Sequence, residues 1–169
     1  MIVPMHRVSS LVLFGSLLLS EQTIPARPSF ESFPVKQIYK GPPAPPKLDS
    51  SQRTFRTVIR RAAKLPVQFG GHYTVPEFGC GTECSGFYIV DSISGRVYDG
   101  FGIMDLPHEW LDKQSREEPP RIQFMPHSRL LKINGCPNEH NCGYYDYLIE
   151  DGRGLKLIQK WLLPKESQD

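Results

Sequence analysis

The sequence contains no long block of like charge. Its 20 Lys and Arg residues are nearly balanced by 18 Asp and Glu residues, and neither sign is gathered into a run. Segments that bind nucleic acid as a basic arm, or that form acidic tails, carry blocks of about five or more like charges. We therefore expect no nucleic-acid partner.

The apolar stretch near the start of the chain is too short to cross a bilayer, which takes about 20 residues. It covers residues 8–19 and follows one basic residue, Arg7. A basic residue before a short apolar run is typical of a secretory signal peptide. We predict a signal peptide over residues 1–20, with cleavage after Ser20 or after Ala26. The mature protein is then exported, periplasmic or secreted, and keeps no stable membrane span.

Cysteine is scarce: the sequence has four, an even number that allows all of them to pair. An oxidising compartment favours disulfides, and four cysteines allow three pairings that the sequence alone does not distinguish. Turn-rich loops around each close pair favour local disulfides, Cys80 with Cys84 and Cys136 with Cys142. A zinc site with the nearby His140 is disfavoured, because structural zinc sites use Cys-x2-Cys spacings that are missing here. We expect no cofactor.

Proline divides the chain into segments. Residues 21–48 hold seven of the 16 prolines and no sustained apolar period, which predicts an extended linker that the domain can fold without. Good N-cap residues at 49–52 and an i, i+3, i+4, i+7 apolar pattern predict a helix over residues 51–64, stopped by Pro66. We predict one domain over residues 49–163 and a tail over residues 164–169.

Beyond residue 70 the apolar pattern shortens to strand runs bounded by turn residues. Alternation such as Tyr145, Tyr147 and Ile149 is typical of half-buried antiparallel strands. The fold class is therefore mainly β: an antiparallel meander or small open barrel of about seven strands with the N-terminal helix packed on it. A short helix starting near Pro107 is predicted within residues 100–120. The predicted strands cover residues 73–75, 87–91, 96–98, 121–125, 129–134, 144–150 and 155–161.

Three motifs stand close together in the sequence. Residues 69–75 read Phe-Gly-Gly-His-Tyr-Thr-Val, residues 78–84 read Phe-Gly-Cys-Gly-Thr-Glu-Cys, and residues 89–98 read Ile-Val-Asp-Ser-Ile-Ser-Gly-Arg-Val-Tyr. Together they resemble a group of small uncharacterised exported bacterial proteins with a Gly-His-Tyr strand and an aromatic-Gly-Cys-Gly-Thr-x-Cys loop. The resemblance covers residues 53–160 and implies a shared fold without a known activity. Phe78 stands where that group has Trp, and Cys136 and Cys142 are outside its pattern.

Catalytic candidates are few. His108 and Glu109 begin like the zinc-protease signature His-Glu-x-x-His, but Asp112 replaces the second histidine. His72 is a candidate general base for which no partner carboxylate is fixed by spacing. Disulfide-bonded cysteines have no thiolate to serve as nucleophile. A small extracytoplasmic hydrolase or metal-dependent enzyme centred on His72, or on His108 and Glu109, is the alternative function.

A binding function leads because no complete catalytic constellation is present. Aromatic side chains beside rigid loops are common contact anchors, provided that they are exposed. We predict an exported binding module, with an inhibitor of an envelope-active enzyme as a further alternative, whose partner is an unknown protein or envelope ligand. Its contact surface lies around the loop over residues 80–84. The predicted contact residues are Glu83, Tyr88, Trp110 and Tyr144.

Overall fold

The alternating runs of the second half of the chain form one antiparallel sheet. The computed structural model describes residues 26–113 and 117–165, so the predicted signal peptide lies outside the described residues. Eight strands are present among them. They are β1 Tyr73–Thr74, β2 Glu77–Gly81, β3 Cys84–Asp91, β4 Val97–Met104, β5 Ile122–Phe124, β6 Leu130–Pro137, β7 Gly143–Glu150 and β8 Gly154–Leu162.

The sheet is open and follows the order β1-β3-β4-β6-β7-β8, with β2 pairing β3 and β5 pairing β6. Only two residue pairs join its halves: Ile103 opposite Pro137 and Met104 opposite Cys136. Side chains from both halves meet in one core, because the odd-numbered residues of β3 and β7 point to the same side as Leu131 and Ile133 of β6. The predicted mainly β meander with one packed N-terminal helix is confirmed.

The N-terminal helix starts at a reciprocal cap. The Asp49 carboxylate accepts the Gln52 backbone N–H at 3.0 Å, and the Gln52 side chain accepts the Asp49 N–H at 3.1 Å. A 3-10 turn, Gln52–Phe55, leads into α1, Arg56–Ala62. Hydrogen bonds from Ser51 and Gln52 lower the pKa of Asp49. Ile59 packs on the outer side of β3 against Val90, which is the packing that the apolar period predicts.

Several elements differ from the sequence-based expectation. A strand over Glu77–Gly81 was not predicted, because its two glycines and cysteine have low strand propensity. β4 continues to Met104 through two glycines, six residues beyond the predicted strand end at Tyr98. A short helix after Pro107 is confirmed as α2, His108–Lys113.

The proline-rich segment is bound to turns of the domain, whereas its composition predicts an extended linker from which only isolated apolar residues could dock. Residues 26–48 have one 3-10 turn, Phe30–Ser32, and otherwise no helix or long strand, as their prolines require. Their backbone nevertheless hydrogen bonds to the domain through Val35, Tyr39, Ala44 and Lys47, with lengths between 2.7 and 3.0 Å. We call residues 26–48 the strap. These contacts are made by single, irregularly spaced residues. They therefore leave no periodic apolar pattern in the sequence.

Candidate functional site

The two disulfides lie side by side at one end of the sheet. Both predicted local pairs are confirmed, Cys80–Cys84 and Cys136–Cys142. Cys84 is opposite Met104 on one side, and Cys136 is opposite Met104 on the other. The loops that they close, residues 80–84 and 136–142, are therefore neighbours, and we call them the cystine end. Two disulfides are consistent with an oxidising compartment.

The backbone of the cystine end is held in an uncommon conformation. Among the described residues, the non-glycine residues with left-handed φ are Glu83 (56°), Asn138 (52°), Glu139 (65°) and Asn141 (50°). All four lie in the two disulfide-closed loops. Such conformations persist where the surrounding structure fixes them, and they cluster at ligand-binding and active sites. The cystine end thus presents a fixed, partly strained surface.

A salt-bridge network lies beside the 80–84 loop. Arg121 donates to both carboxylate oxygens of Asp105 and, at 2.7 Å, to the hydroxyl of Ser85. The Asp105 backbone N–H donates to the Glu83 carbonyl at 3.0 Å, which ties the loop to the network. Burial alone would raise the pKa of Asp105, but hydrogen bonding with Arg121 and Glu118 holds it below its usual value. Burial and the bond to Asp105 raise the pKa of Glu118.

This network was missed from the sequence. Its members come from β3, the segment after β4 and the segment before β5, so no local spacing relates them. The Cys136 sulfur lies 3.2 Å from the Asp105 carbonyl oxygen, which places the second disulfide next to the same network. Asp105 therefore contacts both loops, through its backbone N–H to Glu83 and its carbonyl oxygen beside Cys136, and Arg121 holds its carboxylate.

His108 and Glu109, which begin like the zinc-protease signature, are exposed to solvent. His108 Nε2 lies 3.7 Å from Glu83 Oε1, with side-chain exposures of 65% and 54%. Glu109 and Asp112 are exposed as well. Within the described ranges, no three His, Cys, Asp or Glu side chains are grouped so as to hold a metal ion. The structure thus brings His108 to the cystine end, where it meets Glu83.

The three predicted aromatic contact residues are buried, so they do not form exposed anchors. Tyr88 of β3 is 9% exposed and packs with Ile59 of α1, with its ring centroid 5.4 Å from that of Phe78. Trp110 of α2 and Tyr144 of β7 are 3% and 7% exposed, and their ring centroids lie 5.9 Å apart. Strand alternation suggested one solvent-facing side for these strands. The sequence proposes these residues as anchors only if they are exposed, and that condition is not met because α1 covers Tyr88 and α2 covers Tyr144.

His72 has the carboxylate partners that the sequence did not reveal. Its Nε2 lies 3.6 Å from Asp151 and 3.9 Å from Asp91, and Asp151 also accepts the Tyr73 hydroxyl at 2.9 Å. Burial and that hydrogen bond raise the pKa of Tyr73. Pairing of β1 with β3 places Asp91 opposite Tyr73, and the β7–β8 turn supplies Asp151. A cavity of about 450 Å³ opens here and is also lined by Arg129.

Comparison of this chain with protein-family models, with curated proteins and with solved structures finds no match. The resemblance of residues 53–160 to a group of small exported proteins therefore stays a prediction. No helix among the described residues is both long and apolar enough to cross a membrane.

Proposed function

We propose that this protein is an exported binding module that contacts its partner through the cystine end. The observation that carries the proposal is the placement of all four described left-handed non-glycine residues in two adjacent, disulfide-closed loops. Loops that are already ordered lose less conformational entropy when a partner binds. Disulfides that fix these loops would therefore favour binding of a partner.

Charge at the cystine end indicates the chemistry of the partner. Glu83, Glu139 and, on neighbouring α2, Glu109 and Asp112 are exposed, against one exposed Lys113. The guanidinium of Arg121 is engaged by Asp105, so it does not offset these carboxylates. A surface with excess negative charge attracts a partner that carries Lys or Arg. We therefore propose a basic loop or peptide segment of an envelope protein as the partner.

The experiment is capture from envelope extract by the immobilised mature protein, compared with a charge-reversed variant. Glu83→Lys with Glu139→Lys changes one residue in each loop, and Glu31→Lys in the strap is the matched control. We expect a captured protein that is lost with the double variant, retained with the control, and released by raising the salt concentration. A protein captured equally by all three, or no protein above background, contradicts the proposal.

A second function, hydrolysis at His72, is favoured by one observation. His72 beside Asp151 and Asp91, in a cavity lined by Arg129, has the elements of a general base held by carboxylates near a site for an anionic group. No Ser, Thr or Cys is among the described residues lining this cavity. Water activated by His72 is then the nucleophile, and an anionic ester is the proposed substrate.

Activity against a panel of chromogenic esters separates the two functions. His72→Gln keeps a similar size and removes the base, while His127→Gln changes another, exposed histidine as control. General-base catalysis contributes about 10²- to 10⁴-fold in rate, so the His72 variant is expected to lose at least about 100-fold. Hydrolysis that survives His72→Gln, or that is absent from the wild type, removes this alternative.

A further inference from the structure

The exposed large apolar side chains fall into two groups. Among the described residues, Leu157, Ile158 and Leu162 lie on β8, the last strand of the sheet. The other four lie around one groove. Ile38 (41% exposed) and Leu65 (46%) line it, while Ile93 and Met125 directly adjoin the lining residues Ser92 and Pro126. These four come from distant parts of the chain, and only the fold brings them together.

The same groove is basic. It has a volume of about 620 Å³, and its lining includes Lys40 of the strap and Lys64 after α1. A second groove shares Lys64 and Pro43 with it and continues the surface to Arg60. We call the combined surface, residues 38–41, 43–46, 60, 63–67, 92 and 126, the strap groove.

Basic residues near the strap groove add to its positive charge. Residues 26–64 contain nine Lys and Arg residues but only two acidic residues, Glu31 and Asp49. Within the described residues, none of Arg53, Arg56, Arg60, Arg61 and Lys64 forms an ion pair, and all five are exposed. Unpaired cations and exposed apolar side chains thus share one surface.

We propose that the strap groove docks on an anionic phospholipid surface. Lys40, Lys64 and Arg60 attract the headgroup phosphates, and Ile38 and Leu65 enter the boundary between headgroups and acyl chains. Apolar burial and electrostatic attraction add in peripheral membrane contact, so a surface with both favours an anionic bilayer. A soluble anionic polymer would use the cations alone and leave the apolar side chains unexplained. The inference does not depend on the proposed function, because the strap groove and the cystine end share no residue.

The experiment is co-sedimentation of the mature protein with vesicles of phosphatidylcholine, alone or mixed in equal parts with phosphatidylglycerol. We expect binding to the mixed vesicles only, weakened by added salt. Lys64→Gln should weaken binding about fivefold, the equivalent of about 1 kcal/mol for one basic residue near an anionic surface. Leu65→Ser should weaken it by roughly the same factor, because a half-exposed leucine loses its burial in the interface.

The matched controls lie on β8. Leu157→Ser changes an apolar side chain of similar exposure, 42%, and Lys160→Gln removes an exposed cation. Both should bind vesicles as the wild type does. Circular dichroism of each variant verifies that the fold is retained. Equal binding to both vesicle types, no binding, or loss with Lys64→Gln but not with Leu65→Ser overturns the proposal, and the last result would show that the apolar side chains do not enter the bilayer.

Discussion

Arg27 of the strap is expected to stabilise the whole domain, although it lies in a segment with the composition of a linker. Its guanidinium donates to Asp146 of β7 at 3.0 and 2.5 Å and to the Tyr145 carbonyl at 3.0 Å. It also donates to the side chain of Asn134. Asp146 is 1% exposed, so Arg27 supplies the counter-charge of a buried carboxylate. Either predicted signal cleavage site leaves Arg27 in the mature chain.

The cost of losing Arg27 follows from that burial. Removing one partner of a buried ion pair costs about 3–5 kcal/mol, because the other charge stays desolvated. The Arg27 side chain keeps 15% exposure, and some water reaches the pair, so we expect the lower end, about 3 kcal/mol for Arg27→Ala. In a domain of this size the melting temperature should fall by about 6–12 °C.

Thermal and urea unfolding of the mature protein measure this effect. Arg53→Ala is the matched control, since Arg53 is exposed on the helix that begins the domain and forms no ion pair within the described residues. It should change stability by less than about 0.5 kcal/mol. Adding Asp146→Asn to Arg27→Ala removes the stranded charge, so the double variant should be more stable than Arg27→Ala alone.

Two results would refute the reasoning. The first is an Arg27→Ala variant as stable as Arg53→Ala, which would mean that Asp146 is adequately solvated without the strap. The second is a double variant less stable than Arg27→Ala, which would mean that the carboxylate itself is favourable in its site. Confirmation would correct the expectation that residues 21–47 can be deleted without cost.

Three further predictions concern the sheet and its ends. Thiol titration of denatured, unreduced protein should detect no free thiol. Replacing Cys80 and Cys84 by serine should lower the free energy of unfolding in urea by about 2 kcal/mol. A disulfide mapped between the two loops would contradict the local pairing. The pKa of Asp105 is lowered in the fold, so the carboxylate stabilises the protein above its unfolded-state pKa, and this stability is lost as the pH falls through the folded-state pKa. Acid should therefore destabilise the wild type more than Asp105→Asn. Equal acid sensitivity of the two proteins would contradict this. Trp110→Ala should cost about 3–5 kcal/mol by the same unfolding assay, and a near-neutral effect would show that α2 does not cover the sheet.

Local chemistry determined much of the secondary structure. The last hairpin could be placed from alternation and the Asp-Gly-Arg-Gly turn, and the observed strands Gly143–Glu150 and Gly154–Leu162 differ from the prediction by one residue at each altered end. The helix was predictable because capping residues and apolar period agree. Local disulfide pairing followed from turn residues within each loop. All these signals act over a few residues, so one sequence suffices to read them.

The residues that meet at each candidate site depend on the tertiary fold. Which face of β7 is open depends on α2, and which carboxylates reach His72 depends on strand pairing and a distant turn. The partner of Arg27 lies 119 residues away along the chain. By itself the sequence determined the mainly β domain, its helix and its two disulfide loops, since those depend on backbone propensity and short loops. Only tertiary structure decided that the strap is attached, that the aromatic residues are buried and that the loops adjoin, because burial and long-range pairing depend on what packs opposite each residue.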